Sequence, residues 1–468
     1  MENTDFNQKT GSRNPENWGL VDYWREILGE KSREFSLYAP TGEPLRTFLE
    51  IEEEARKWSE RLVVNGSGSV VAIQTGNIAE WPALVLGTWY AGRIVLPLDS
   101  DLAPDRRAEV ERLCGVTTRM EIGAAGLQMA NLDNSVIDWP EPRPVLLKLT
   151  SGTSAAPRVV RFTSAQLVAD CLAVCETMGL RAGDRNYGVI SFAHSYGFSN
   201  LITPLLCRGI PLVVAGDMIP QAVRGGLAAS KATVFPGVPA LFRALSGLEP
   251  GNLELRLCIS AGAPLSREVA ERFGEKWGRK VHTFYGSSEC GGICYDAGTE
   301  TSPREGYVGH PMRGVDIKPL SAKWPAQIEV QSAAVGEGYH PAQPDDELRE
   351  GVFRPSDLLA ATSEGYVITG RISDLINVSG RKVNPSEIER VLSRCPGVRE
   401  VIVVGLPEGF RGEEVAACVV GETTEAVLRQ FSGGILPAWQ IPRRWVFVDS
   451  LPVNARGKIS RAEIRGLF

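Results

Sequence analysis

Ten consecutive residues concentrate the chemistry of this chain: Leu149-Thr150-Ser151-Gly152-Thr153-Ser154-Ala155-Ala156-Pro157-Arg158. Small hydroxyl side chains surround one glycine, and a proline and a cation close the run. Hydroxyls and backbone N–H groups donate hydrogen bonds to anionic oxygens. Glycine lets the backbone come close, and arginine adds charge. Thr150, Ser151, Gly152, Thr153, Ser154 and Arg158 are therefore candidates for holding a polyphosphate. The loop is not a Walker A loop, because G-x-x-x-x-G-K-[ST] does not occur. Two later segments also carry isolated charge beside glycine. Thr283-Phe284-Tyr285-Gly286-Ser287-Ser288-Glu289 offers a carboxylate, the ligand a hard cation prefers. Leu451-Pro452-Val453-Asn454-Ala455-Arg456-Gly457-Lys458-Ile459-Ser460-Arg461 presents a lysine as a point charge on a long stem. Each segment alone also reads as a linker, a turn or a solvated tail.

Taken in order, these segments resemble the motifs of the adenylate-forming superfamily: acyl-CoA synthetases, aryl-acid ligases, luciferases and peptide-synthetase adenylation domains. The phosphate loop there reads T-S-G-T-T-G-x-P-K-G, and the terminal motif reads L-P-x-x-x-x-G-K-[IL]-x-[RK]. The resemblance covers nearly the whole chain and is weakest over the first fifty or so residues. It implies that Tyr285 packs on adenine with Gly286, that the Ser288 hydroxyl reaches the α-phosphate, and that Glu289 helps hold Mg²⁺. Gly262 and Ala263 fall in the nucleotide site. Asp357 accepts the ribose hydroxyls and Arg371 joins it. Lys458 neutralises charge as an anionic carboxylate attacks an anionic α-phosphate. Gly380 and Arg381, in Ile376–Glu389, line the channel for a phosphopantetheine arm. The residues of that segment also read as a hairpin leading into a capped helix, and both readings can hold.

The implied reaction joins a carboxylic acid to a thiol at the expense of ATP, through acyl-AMP. The thiol is that of coenzyme A or of a phosphopantetheine on a separate acyl carrier protein. His194, Phe198 and Val238 align with the acid pocket. Amino-acid-activating relatives place an aspartate in the His194 segment, and Phe192–Phe198 has none, so an organic acid, fatty or aryl, is favoured. Departures from the pattern are specific. Arg158 replaces the usual lysine, Ala155 and Val159 replace glycines, and Pro355-Ser356 precedes Asp357 in place of Thr-Gly. Ser373 stands at the hinge position. They keep open a second reading, a catalytically degenerate nucleotide-binding or regulatory relative.

These residues need a frame to hold them. At 468 residues, 43% hydrophobic and 23% charged, the chain has material for more than one domain. A net charge of −6 without a basic block speaks against nucleic acid or a membrane surface as partner. No apolar run has the length of a membrane span, and Met1–Asp5 does not begin a signal peptide, so a cytoplasmic setting is expected. Nine scattered cysteines without C-x-x-C fit reduced, buried thiols. Ser69–Ile73, Ile94–Leu98, Val189–Phe192, Pro211–Ala215 and Arg256–Ser260 read as strands. Glu80–Tyr90, Asp101–Leu113 with an Asp101 cap, and the face Leu167, Val168, Cys171, Leu172, Cys175 read as helices. Such alternation predicts an α/β fold: a large N-terminal domain of mainly parallel sheets with flanking helices. A small α+β C-terminal domain, mobile by the resemblance, follows. The expected division is 1–371 and 372–468. In the smaller part, a helix over Pro385–Leu392 precedes strands near Val401–Val404 and Val415–Val420. A helix near Glu425–Phe431 and a strand Trp445–Val448 complete it.

Overall fold

The computed structural model describes residues 18–63, 70–150, 156–301, 304–378, 381–408, 412–452 and 461–468. They group into two compact units. One contains Met1–Pro303, Gly309–Asp316 and Val330–Phe353, and the other contains Arg304–Val308, Ile317–Glu329 and Arg354–Phe468. The hairpin of Asp357–Thr362 and Gly365–Arg371 thus groups with the C-terminal part of the chain. The α/β architecture expected from the alternation of elements is the one observed.

The larger unit holds two sheets with parallel interiors. In the first, Val70–Gln74, Ile94–Pro97, Val116–Gly123 and Leu146–Leu149 run parallel. Val159–Phe162 turns back antiparallel to Leu146–Leu149, and Gly338–His340 pairs antiparallel with it. In the second, Phe35–Tyr38, Leu212–Val214, Asn186–Gly188, Val234–Gly237, Leu257–Ser260 and Val281–Ser287 are successive parallel neighbours. Val70–Gln74, Ile94–Pro97, Val234–Gly237 and Leu257–Ser260 are buried along their whole length, as strands covered on both faces must be. Helix Trp81–Tyr90 is apolar all round and correspondingly buried. A Cβ at its Gly87 would lie 2.6 Å from the Ala55 carbonyl oxygen, so glycine permits the close packing of helix Phe48–Val63.

Two expectations are corrected. Val189–Phe192 is not a strand; the ladder stops at Gly188. The Asn77 side chain takes over, donating to the carbonyls of Gly188, Ile190 and Ala215 at 2.9, 3.0 and 2.8 Å and accepting from Phe192 N at 2.8 Å. A side-chain amide thus satisfies backbone groups that a neighbouring strand would otherwise pair. The next helix spans Pro104–Cys114 and Asp101 does not cap it. Pro104 lacks an N–H and has its φ preset, so it starts the first turn unaided.

The smaller unit is an α+β fold around the sheet Val398–Pro407, Glu413–Gly421 and Arg444–Phe447. Val401, Val403, Val415, Ala417 and Val419 enter one core with Ile388 and Leu392 of helix Pro385–Leu392. Val404, Leu406, Ala416, Cys418 and Val420 enter a second core with Ile464. Alternation at period two sends successive side chains to opposite faces.

Replacing Asn77 by Leu is expected to cost roughly 2–3 kcal/mol, because several buried backbone groups lose their partner at once. Urea unfolding followed by fluorescence measures this. An unchanged midpoint would mean that water substitutes for the amide.

Candidate active site

The phosphate-loop candidates begin where strand Leu146–Leu149 ends. Thr150 closes the base of the loop: its N–H and its hydroxyl donate to the Arg158 carbonyl at 3.0 and 3.1 Å. Its hydroxyl is therefore spent inside the protein. Ser151, Gly152, Thr153 and Ser154 lie outside the described residues. Arg158 is engaged by protein groups instead of reaching out as a bare cation. Its Nη2 is 2.5 Å from Asp346 Oδ1, and Nε and Nη2 donate to the Pro341 carbonyl at 3.2 and 3.1 Å.

The second cluster forms at the end of strand Val281–Ser287. Tyr285 is buried, and a Cβ on Gly286 would meet the Gly291 carbonyl oxygen at 2.6 Å, which requires glycine there. The Ser287 hydroxyl accepts from Glu289 N at 3.2 Å and Cys290 N at 3.3 Å, shaping the turn. Glu289 is held at both ends. Its carbonyl accepts from Gly336 N at 2.9 Å, and its Oε1 accepts from the Tyr339 hydroxyl at 3.1 Å. Burial, then the Glu289 charge, raises the Tyr339 pKa above the ordinary phenol value, so the phenol stays a donor at neutral pH. Ser288 Oγ accepts from Ser195 Oγ at 2.9 Å, joining this turn to the His194 segment.

His194 Nδ1 accepts from Tyr196 N at 3.2 Å and starts the short helix Ser195–Gly197. Phe198 does not line an open pocket. It is 1% exposed and meets Trp81 edge-on at 6.0 Å, so the apolar core claims it. Val238 is half-buried at the start of helix Pro239–Leu245. Gly262 and Ala263 are exposed, and Gly262 adopts φ +86°, where a side chain would be strained.

Two buried ionisable side chains near this turn were not anticipated. Lys148 is 5% exposed, with its ammonium 4.5 Å from the Phe162 ring centroid. Asp170, 3% exposed, accepts from the Ser199 hydroxyl and, at 3.0 Å, from Gly292 N. Burial lowers the Lys148 pKa and raises that of Asp170, and each opposes the other's shift. The signal was present: a lysine inside Leu146-Leu147-Lys148-Leu149, and an aspartate on the apolar face that carries Leu167, Cys171 and Val174.

In the smaller unit, Asp357 and Arg371 sit directly opposite in their hairpin, and Arg371 Nε is 2.7 Å from Asp357 Oδ1. The structure therefore brings together the two residues assigned to ribose. Ser373 lies in the 3-10 turn Ile372–Asp374. Ile376–Val378 pairs with Arg381–Val383, and Asn384 caps helix Pro385–Leu392, which is the expected hairpin and capped helix. Arg381 lies 5.2 Å from the Trp439 ring centroid. Gly380 and Lys458 lie outside the described residues. Arg461 follows the Lys458 segment and is tied to Asp374 at 3.0 Å and Glu389 at 2.6 Å.

The order of these segments is shared with a known family. The AMP-binding enzyme family matches residues 38–339, and its C-terminal domain matches residues 387–458. This chain belongs to the AMP-binding enzymes. The resemblance read from the motifs is thereby confirmed. A long-chain-fatty-acid–CoA ligase of Bacillus subtilis (strain 168) is 27% identical over 348 residues, covering 69% of this chain and 62% of the relative. A feruloyl-CoA synthase of an Amycolatopsis species is 26% identical over 360 residues, covering 71% and 72%. The fold is that of ATP-bound MatB from Rhodopseudomonas palustris: TM-score 0.82 at 24% identity, over 96% of this chain and 99% of that one. No helix among the described residues is long and apolar enough to cross a membrane, and all nine cysteines are buried free thiols.

Lys148→Met and Asp170→Asn are each expected to destabilise the fold, while the double variant recovers part of the loss, with a coupling of about 1–3 kcal/mol. Chemical denaturation of all four proteins at neutral pH gives the number. Strictly additive losses would show that the two charges do not sense each other.

Proposed function

We propose that the chain is an AMP-forming ligase that joins an organic acid to the thiol of coenzyme A. The supporting observation is the family match over both 38–339 and 387–458, the second of which ends at Lys458. Acid–CoA ligases among the relatives, one for long-chain fatty acids and one for feruloyl groups, support a fatty or aryl acid. The absence of an aspartate in Phe192–Phe198 agrees with an acid that carries no ammonium. A separate carrier protein remains the alternative source of the thiol, and the setting is cytoplasmic.

The first half-reaction brings a carboxylate to the α-phosphorus of ATP, releasing pyrophosphate. Like charges must meet, so the barrier is chiefly electrostatic. Lys458 supplies a cation where charge builds up, and the Ser288 hydroxyl reaches the α-phosphate. The loop Ser151–Ser154, closed at its base by Thr150, cradles the remaining phosphates, with Gly262 and Ala263 beside the nucleotide. Tyr285 packs against adenine, and Asp357 with Arg371 takes the ribose. Mg²⁺ would neutralise phosphate charge, with Glu289 as its protein ligand. Among the described residues no group of three or more His, Cys, Asp or Glu could hold a metal alone. That fits a cation that arrives on phosphate oxygens and takes a single protein carboxylate. His194 and Val238 stand near the acid.

In the second half-reaction a thiol displaces AMP from the mixed anhydride. The chain beyond Ser373 turns between the two steps, exchanging Lys458 for Gly380 and Arg381 at the reacting centre. For that turn the chain is divided at 371/372, although the hairpin ending at Arg371 groups by its contacts with the C-terminal part.

A pyrophosphate-release screen over fatty and aryl acids, with and without coenzyme A, tests the reading. No release with any acid would overturn it. Lys458→Ala is expected to lower single-turnover adenylation on the order of 10²–10³-fold while ATP binding is kept. Adenylation at the parent rate would remove the lysine from the mechanism. Ser373→Pro fixes φ at the turning point and should impair one half-reaction far more than the other. Measured with chemically made acyl-AMP for the second step, equal losses would place the pivot elsewhere.

A further inference from the structure

The phosphate-loop pattern gives Arg158 to the pyrophosphate, but its surroundings point to other work. Strand Gly338–His340 lies antiparallel to Val159–Phe162, with Tyr339 opposite Val160 and His340 opposite Val159. That register places Tyr339 beside the start of the strand, where Arg158 sits. The Arg158 guanidinium carbon is 4.1 Å from the Tyr339 ring centroid. The same guanidinium donates to Asp346 and Pro341, so it is anchored on the protein side. It is only 18% exposed, and the Asp346 carboxylate neutralises it at contact distance. The far end of the Tyr339 ring donates to Glu289 Oε1. A continuous chain of contacts therefore runs from Asp346 through Arg158 and Tyr339 to Glu289.

A cation over an aromatic face pins the ring and makes its hydroxyl a better donor. A hydroxyl that engages one carboxylate oxygen selects one rotamer and leaves the other oxygen available. An unrestrained glutamate pays about 1.5–2 kcal/mol in rotamer entropy when it is fixed. Here that cost is met before any cation arrives.

We propose that Arg158 and Tyr339 are positioning residues for Glu289: Arg158 braces the Tyr339 ring, Tyr339 orients the carboxylate, and Arg158 is not a phosphate ligand. This rests on the reading of Glu289 as the carboxylate that takes Mg²⁺. It reassigns the arginine that replaces the family's lysine. A planar fork can hold Asp346 and a carbonyl in fixed directions while stacking on a ring, and an ammonium offers no planar face to stack and no fixed fork.

The test is ATP binding by calorimetry without acid substrate, across a Mg²⁺ titration and in EDTA. Tyr339→Phe and Arg158→Lys should each raise the Mg²⁺ concentration for half-maximal ATP binding by roughly tenfold, the scale of one hydrogen bond to a charged group. The double variant should be no worse than the larger single, because both act through one carboxylate. In EDTA, ATP affinity of Arg158→Lys and Arg158→Ala should stay within about twofold of the parent. Arg158→Lys with a parental Mg²⁺ titration would overturn the proposal, as would Arg158→Ala that loses ATP affinity equally in EDTA. Additive shifts in the double variant would also overturn it. Glu289→Gln separates the levels. If it leaves the Mg²⁺ titration unchanged, the metal reading itself fails. If it shifts the titration while Tyr339→Phe does not, only the positioning proposal fails.

Discussion

Parallel pairing in the second sheet is the constraint on which the site of the larger unit depends. Val234–Gly237, Leu257–Ser260 and Val281–Ser287 are paired so that Gly237 faces Ser260 and Ser260 faces Thr283. Parallel strands end on the same edge, so their following loops must be neighbours. Those loops carry Val238, the pair Gly262 and Ala263, and the turn of Ser288, Glu289 and Cys290. A slip of one residue in any of the three would invert its side chains and move its loop along the edge. Burial of Val234–Gly237 and Leu257–Ser260 along their whole length helps hold the register. Residues far apart in sequence thus become one surface without any direct bond between them.

The turn at that edge is then fixed by local polar geometry. Ser287 folds the backbone onto itself, Gly286 admits the Gly291 carbonyl, and Gly336 N holds the Glu289 carbonyl. Beneath it lies a harder electrostatic bargain. Burial disfavours the charged form of both Lys148 and Asp170, and the charge of each offsets part of the other's penalty. Asp170 also ties helix Ser164–Thr177 to Ser199 and Gly292.

Much of this was readable from the residues because the determinants are local. The run Leu257-Cys258-Ile259-Ser260 can hardly be anything but a buried strand. Asn384-Pro385 announces a helix start, and Asn384 indeed caps it. What escaped the sequence depends on partners far away along the chain. Val189–Phe192 has strand composition, yet the Asn77 amide takes its backbone bonds. Phe198 sits in a segment aligned with the acid pocket, yet Trp81 draws it into the core. Arg158 matches a phosphate-binding pattern, yet Asp346, 188 residues away, holds its guanidinium. Spacing reports the type of a residue and its neighbours; it does not report which distant group competes for the same donor.

That competition has a consequence for charge at the proposed nucleotide site. With Arg158 paired to Asp346, the sequence Thr150–Ser154 holds no other charged side chain that could meet a polyphosphate there. Dipoles stabilise a polyphosphate less than a cation does, so more of the burden falls on a cation carried by the nucleotide. Such a cation helps only if the protein meets it with a correctly aimed carboxylate. A single carboxylate aimed by hydrogen bonding is then the economical solution, and Glu289 is the group the fold restrains at both its backbone and its side chain. On the proposed reading, exchanging lysine for arginine in the loop would move positive charge from direct phosphate contact to the aiming of that carboxylate, through the contacts Arg158 makes with Asp346 and Tyr339.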